Sequence, residues 1–338
     1  MRPQRSNDPC WCGSSMKFKR CHGDKAQLRR RPVRTAAVSP VRTVPESIVR
    51  PDYVLADGAI STPRGRQVHT DESLVRMRRA CAVAAEVLLR AGAAVAPGVT
   101  TEQLDAIAHQ AYVDLGAYPS DLLYRGPSGR SKPYPKSICT SVNGVICHGI
   151  PNARPLEHGD IVNIDVTAFI DGMHGDTSAT FAVGTVGAAV EGLIESTRLA
   201  TLLGVAAVAP GAPLSRIGEA VEDFARSRGY GVVHEYGGHG IGSTFHARPH
   251  INHFPERRDT DTFEVGMTFT IEPMLTTGDP RFRQADDGWA EQVVDAMPSA
   301  QFEHTVLVTG TGAEILTHTP TGDSAVGGLE LLATAGVG

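Results

Sequence analysis

Two similar α+β halves related by a pseudo-two-fold axis, with a cleft between them, are what this 338-residue sequence predicts. Three observations carry the prediction. Helix and turn signals repeat at a constant offset, two strand segments echo each other across the halves, and the first half holds a long alternating hairpin.

The repeat comes first. Ala96-Pro97-Gly98 followed by Leu104, Ile107, Ala108 and Gly116 recurs as Ala209-Pro210-Gly211 followed by Ile217, Ala220, Val221 and Gly229. Each position lies 113 residues on (210 − 97). Ala93-Ala94-Val95 precedes the first copy as Ala206-Ala207-Val208 precedes the second. Each copy therefore reads as helix, Pro-Gly turn, helix, glycine stop and strands. The helix before the first turn begins near Thr70-Asp71-Glu72, a polar cap followed by acids. Leu74, Met77, Cys81, Ala84 and Leu88 then share one face. Among the strands, Asn163-Ile164-Asp165 resembles Thr270-Ile271-Glu272, and Cys147-His148-Gly149-Ile150-Pro151 resembles Phe245-His246-Ala247-Arg248-Pro249.

The segment 161–183 alternates apolar and polar residues around Asp171-Gly172, a turn signal, and predicts a β-hairpin. A two-residue or a four-residue loop puts Asp165 and Asp176 on the same face, opposite or diagonal. Two carboxylates about 4 Å apart repel by roughly 4 kcal/mol at an effective dielectric of about 20. Either one is protonated, as in an acid–base dyad, or a cation lies between them. The second half favours the cation. It places Glu272 and Glu303 inside apolar runs and His239 in the glycine-rich segment GGHGIG. Four carboxylates and one imidazole would be neutralised by two divalent cations, and this donor set suits Mn, Fe, Co or Zn in a paired site.

Composition bounds the rest. The net charge is −5, yet residues 1–50 carry twelve Lys/Arg against Asp8, Asp24 and Glu46. A basic head on an acidic body is either a polyanion-binding element or a solvated tail. No apolar run reaches the roughly 18 residues of a membrane helix, and MRPQRSNDPC lacks a signal-type apolar core. A cytoplasmic protein with reduced cysteines and no membrane partner is expected. Residues 1–31 are Cys- and Arg-rich, residues 32–69 read as a proline-containing linker, and residues 70–318 form the body. Residues 319–338, rich in Gly and Ala, read as a flexible tail.

The motifs ICTSVNGVICHGIP, VNIDVTAFIDGMHGDTSATF, GGHGIGSTFH, TFTIEPM and SAQFEHT resemble those of the type I methionine aminopeptidases, over most of the chain. The resemblance implies the pita-bread fold, a dinuclear metal cleft, and Asp165, Asp176, His239, Glu272 and Glu303 as ligands of two divalent ions (Co, Mn, Fe or Zn), with Asp176 and Glu303 bridging. It implies removal of the initiator methionine from nascent polypeptide N-termini ahead of a small second residue, by attack of a metal-bridging hydroxide. His148 and His246 match the family's substrate-contacting histidines, His246 stabilising the oxyanion and Glu272 moving a proton. Tyr124, Tyr134, Cys139, Phe245 and Trp289 match its methionine pocket.

Proline-specific relatives carry a large N-terminal domain that this chain lacks room for, with only about 70 residues before the first helix. Type II enzymes carry a long helical insert between the last two ligands, where only 30 residues separate Glu272 from Glu303. Non-enzymatic descendants tend to lose ligands, and none is lost here. The chain departs from the family at Pro127–Pro133, which looks like an insertion at the pocket rim, at Gly237, where Cys or Thr is common, and at Ala247, where an acid is usual.

At the N-terminus, Cys10, Cys12, Cys21 and His22 offer four metal ligands within thirteen residues. A segment this short folds around a metal, and structural Zn²⁺ supplies roughly 10–16 kcal/mol. The pattern resembles the SEC-C motif found at the end of the SecA translocase. Nine Lys/Arg in residues 1–31, among them Lys17, Lys19, Arg20 and Arg29-Arg30-Arg31, point to ribosomal RNA as the polyanion, with a protein-binding module as the competing reading.

Overall fold

The computed structural model of the chain describes residues 3–24, 36–56, 65–127, 129, 132–256 and 260–337. The run Arg29-Arg30-Arg31, and Ser128, Arg130 and Ser131 of the expected insertion, lie outside the described residues.

Residues 36–56, expected as part of a proline-containing linker, are a strap laid on the body. Val44 and Ile48 are buried against Tyr118, Leu122 and Phe169. A short helix, α1 (Asp52–Leu55), buries Tyr53, whose hydroxyl donates to the Ser120 carbonyl. Arg42 pairs with Glu102 at 2.7 Å and with the buried Asp105 at 3.0 Å. The fully buried Lys136 ammonium lies 2.5 Å from Glu102 and 2.6 Å from Ser39. Proline fixes an extended path here, and scattered apolar residues anchor it without any helical or strand period.

Helices α2 (Asp71–Ala93) and α3 (Thr101–Asp114) begin where the cap residues place them. Thr70 and Thr100 accept from the amides of Ser73 and Gln103, and Gln103 completes a capping box. The second copy supplies α4 (Ala188–Ala206) and α5 (Ser215–Arg228). Gly116 and Gly229 stand at φ +70° and +84° after α3 and α5, the left-handed stop that the repeat predicts.

Strands follow each helix pair. The first half contributes β1 (Tyr118–Pro119), β2 (Cys139–Val142), β3 (Val145–Cys147), β4 (Ile161–Ile170) and β5 (Met173–Ala182). The second contributes β6 (Gly231–Val232), β7 (Gly238–Gly240), β8 (Ala247–Ile251), β9 (Thr268–Ile271), β10 (Met274–Thr276), β11 (Phe282–Gln284), β12 (Glu291–Val293), β13 (Ser299–Gln301), β14 (Glu303–Val308) and β15 (Ala313–Ile315). In the main sheet β1, β4, β5, β14, β9, β7 and β8 lie side by side, with β2 also on β4 and β15 also on β14. All pairings are antiparallel.

The hairpin closes with a two-residue loop, Asp171 and Gly172, both at positive φ. This register sets Asp165 opposite Ser178 and Asp176 opposite Thr167, so the two acids are diagonal neighbours on one face. On the outer side α2 approaches the hairpin closely. A Cβ at Gly175 would meet the Cys81 backbone nitrogen at 2.4 Å. Each half has its own core, one gathering Leu88, Leu104, Ile164 and Val166, the other Leu193, Ile217, Phe269 and Val306. The β5–β14 ladder joins them, with Glu303 opposite Ser178.

The expected flexible tail is instead packed. Val326 is fully buried, and α6 (Glu330–Thr334) lays Leu332 into the second core. His304 Nε2 also meets the Gly327 carbonyl at 2.9 Å. A few apolar residues suffice for this, and the Gly/Ala background hid them.

Candidate metal centre and its pocket

The strand register assembles the acids. Asp165, Ser178 and Glu303 form one row across β4, β5 and β14, and Thr167 and Asp176 stand in the next. Glu272 follows β9 directly, beside the start of β14. His239, at the centre of β7, brings its Nε2 to 3.8 Å from an Asp176 oxygen and 3.7 Å from a Glu272 oxygen. One ligand atom each from Asp176, His239 and Glu303 fall within 4.8 Å of one another. Gly238 and Gly240 flank the imidazole because the sheet leaves no room. Cβ atoms there would meet the Thr270 and Arg248 carbonyls at 2.1 Å.

Neighbours hold the acids in place. The Thr167 hydroxyl donates to Asp176 at 2.8 Å, and the Thr270 hydroxyl donates to Glu272 at 2.7 Å. Gln301 donates to the other Glu272 oxygen at 3.1 Å, while the Glu272 amide donates to His253 Nε2. Sequence reasoning missed these partners. The signal was positional, since Thr167, Thr270 and Gln301 each lie two residues from Asp165, Glu272 or Glu303 and so share a strand face.

Electrostatics indicate what the cluster lacks. Burial pushes Asp165 up to about 7 and Glu272 up to about 8. Burial and then the Asp165 and Glu272 carboxylates raise Asp176, and burial and then Asp176 and Glu272 raise Glu303. Burial holds His239 down at about 4, so the imidazole stays neutral and offsets none of this charge. Its Nδ1 faces the Gly240 carbonyl at 3.2 Å, which leaves Nε2 turned to the acids as a lone pair. Oxygen donors with one neutral nitrogen and a deficit of positive charge fit divalent cations.

The four acids and the imidazole line a single cavity of about 600 Å³ with His148, His246 and the five expected pocket residues Tyr124, Tyr134, Cys139, Phe245 and Trp289. The Tyr124 hydroxyl and His246 Nδ1 share a hydrogen bond of 2.9 Å, and the two rings stack. Burial and then His239 hold His246 well below the ordinary imidazole range, so it is neutral. The His148 ring lies edge-on to Tyr236 and Trp289. Pro127 of the expected insertion lines the cavity, and the Lys132 carbonyl accepts from the Trp289 indole at 3.2 Å. A Cβ at Gly237 would meet the Ile251 carbonyl at 2.4 Å, and the His250 ring occupies the space beside it. Asp121 also lines the cavity and was not anticipated.

The N-terminal cluster is compact as well. Cys10, Cys12, Cys21 and His22 each offer an atom within 4.8 Å of the others. Cys12 and Cys21 Sγ are 3.6 Å apart, and His22 Nδ1 lies 3.2 Å from both Cys10 and Cys21. The ligand edges of a tetrahedral zinc site are about 3.6–3.8 Å, so the set fits that ion after a small expansion.

Two family profiles match the chain. The family profile described as metallopeptidase family M24 matches residues 75–310, and the SEC-C motif profile matches residues 7–24. "Methionine aminopeptidase 2" of Mycobacterium tuberculosis is 49% identical over 85% of this chain and 99% of its own length. The human mitochondrial "methionine aminopeptidase 1D" is 44% identical over 84% of this chain and 83% of its own. Among solved structures, the methionine aminopeptidase of Rickettsia prowazekii aligns at TM-score 0.71 and 43% identity, covering 75% of this chain and all of that one. A prolidase from Pyrococcus furiosus, at 22% identity and TM-score 0.61 over 75% of this chain and 66% of its own, shares the fold alone.

Proposed function

We infer the function from one premise: the chain belongs to metallopeptidase family M24. It has the pita-bread fold of the methionine aminopeptidases and is a metalloaminopeptidase that removes the initiator methionine from new proteins. The observation that carries this reading is the close grouping of Asp176, His239 and Glu303 in the cavity that also holds His148 and His246.

Asp165, Asp176, His239, Glu272 and Glu303 would hold two divalent ions. Such ions acidify water and polarise a carbonyl at neutral pH. The protein's own groups do the rest. His246, its Nδ1 engaged by Tyr124, presents Nε2–H to the carbonyl oxygen as negative charge builds there. Glu272, oriented by Thr270 and Gln301, carries the proton from the attacking water toward the leaving amine. His148 holds the scissile amide, and Asp165 lies where the free α-amine binds, which restricts cleavage to the first residue. Tyr124, Tyr134, Cys139, Phe245 and Trp289 form the methionine pocket. A confined cleft beyond the metals admits Gly, Ala or Ser as the second residue.

The N-terminal cysteines and His22 would hold a structural zinc. Lys17, Lys19 and Arg20 are exposed on that knuckle and support the ribosome as its partner.

The test is peptide cleavage by metal-stripped protein with Co, Mn, Fe or Zn added back singly. Release of methionine from Met-Ala-Ser, with Met-Lys-Ser cut at least tenfold more slowly, is expected. No release with any ion would overturn the metal assignment, and equal cutting of both peptides would overturn the specificity.

A further inference from the structure

Two acids line the cavity outside the proposed ligand set. Glu235 is exposed, whereas Asp121 is largely enclosed in the wall. One Asp121 oxygen lies 4.0 Å from the Cys139 thiol, and the other is buried with no hydrogen-bond partner among the described residues. Cys139 stands opposite Asp165 in the β2–β4 ladder and clusters with Tyr134 and Trp289. Asp121 therefore faces the space assigned above to the first side chain.

Acids buried for structural reasons in this fold look different. Asp105 accepts from the Ser137 amide and Arg42, and Asp160 accepts from Asn143, Arg154 and the Glu157 amide. Asp121 has no such set. Burial raises it well above the usual carboxylate range, and an enclosed carboxyl oxygen without a donor favours the neutral form, whose O–H seeks an acceptor. Water can serve until a side chain fills the pocket. After that, the acceptor must come from the side chain itself, and a thioether sulfur is a weak one.

We propose that Asp121 is a specificity-determining residue whose carboxyl hydrogen-bonds the sulfur of the first residue, separating methionine from hydrocarbon side chains of the same shape. The proposal rests on the methionine-pocket assignment. A site built around a hydrogen bond rejects the analogue that lacks the partner, because its own polar group is then stranded. Pocket volume alone barely distinguishes methionine from norleucine, so that pair isolates the effect.

The experiment measures kcat/KM for Met-Ala-Ser and norleucyl-Ala-Ser with the full chain loaded with one divalent ion, and with its Asp121→Leu, Asp121→Ala and Asp121→Asn variants at matched metal content. A wild-type preference for methionine of about five- to tenfold is expected, the size of one net hydrogen bond. Asp121→Leu and Asp121→Ala should bring the ratio within twofold of unity, and Asp121→Asn, which keeps a donor, should retain most of it. Unchanged ratios in the Leu and Ala variants, or loss of the ratio in Asn as complete as in Leu, would overturn the role. So would a wild-type preference for a lysyl over a methionyl peptide, the mark of an ionised carboxylate. If wild type cleaves Met-Ala-Ser but these ratios fail, only this inference falls. If it cleaves neither peptide, the pocket assignment falls with it.

Discussion

Single acids in this protein have opposite fates, and their partners decide which. Asp165, Asp176, Glu272 and Glu303 face one another with few donors and are pushed up. Asp160, five residues before Asp165, is enclosed as well, and burial alone would raise it. Three donors outweigh that: the Asn143 amide at 2.8 Å, the Glu157 backbone amide at 3.0 Å and Arg154 at 2.8 Å. Its carboxyl is accordingly held below its ordinary 3.8. A carboxyl depressed on folding contributes stability above its unfolded value and loses it as pH falls through the folded one. Asp160→Asn should thus cost about 2–3 kcal/mol at pH 6, the scale of hydrogen bonds to a charged group. The gap from wild type should narrow below pH 3.8. Urea midpoints at pH 6 and at the lowest pH where both proteins remain folded would measure it, and a gap independent of pH would contradict the assignment. The four acids of the candidate site were conspicuous in sequence because an acid inside an apolar run is costly. Asp121 and Tyr53 were not, because each becomes informative only once its neighbours in space are known.

Elements were legible to the degree that their residues repeat. The hairpin declared itself by alternation and by Asp171-Gly172, and the helices by their caps and by the matched glycines. The strap and the tail follow no period. Val44, Ile48, Tyr53, Val326 and Leu332 dock singly, so only the folded surface reveals their places. Helix–sheet contact in the first half has a narrow tolerance at Gly175, where an added Cβ would meet α2 backbone rather than a movable side chain. Overpacking of this kind costs about 1–3 kcal/mol. Relief requires α2 and β5 to part, which displaces the adjacent Asp176. Gly175→Ala should therefore lower the melting temperature by several degrees and also weaken metal binding, which calorimetry and titration of the stripped protein would separate. Lower stability with unchanged metal affinity would show that β5 does not transmit the strain.

The whole molecule joins its N-terminal knuckle to the second half of the body. The Arg228 guanidinium stacks over Trp11 at 4.1 Å, the Gln4 amide donates to the Arg226 carbonyl at 3.3 Å, and the His22 ring packs against Gly192. The knuckle thus packs on α4 and α5 and leaves Lys17, Lys19 and Arg20 exposed. Deleting everything before Asp71 would be a poor test of ribosome docking, because it would also strip Tyr53 from beside Tyr124, where the rings lie 5.0 Å apart. Charge reversal is cleaner. Lys17→Glu, Lys19→Glu and Arg20→Glu together leave Trp11, the cysteines and the strap in place. Each cation that meets a phosphate contributes close to one unit of salt slope. The triple variant should release from ribosomes at lower salt than wild type, with a shallower dependence of binding on salt, while zinc content and Met-Ala-Ser cleavage stay the same. Co-sedimentation across a salt series measures both quantities. Identical curves for the two proteins would move the partner of the knuckle from ribosomal RNA to a protein surface.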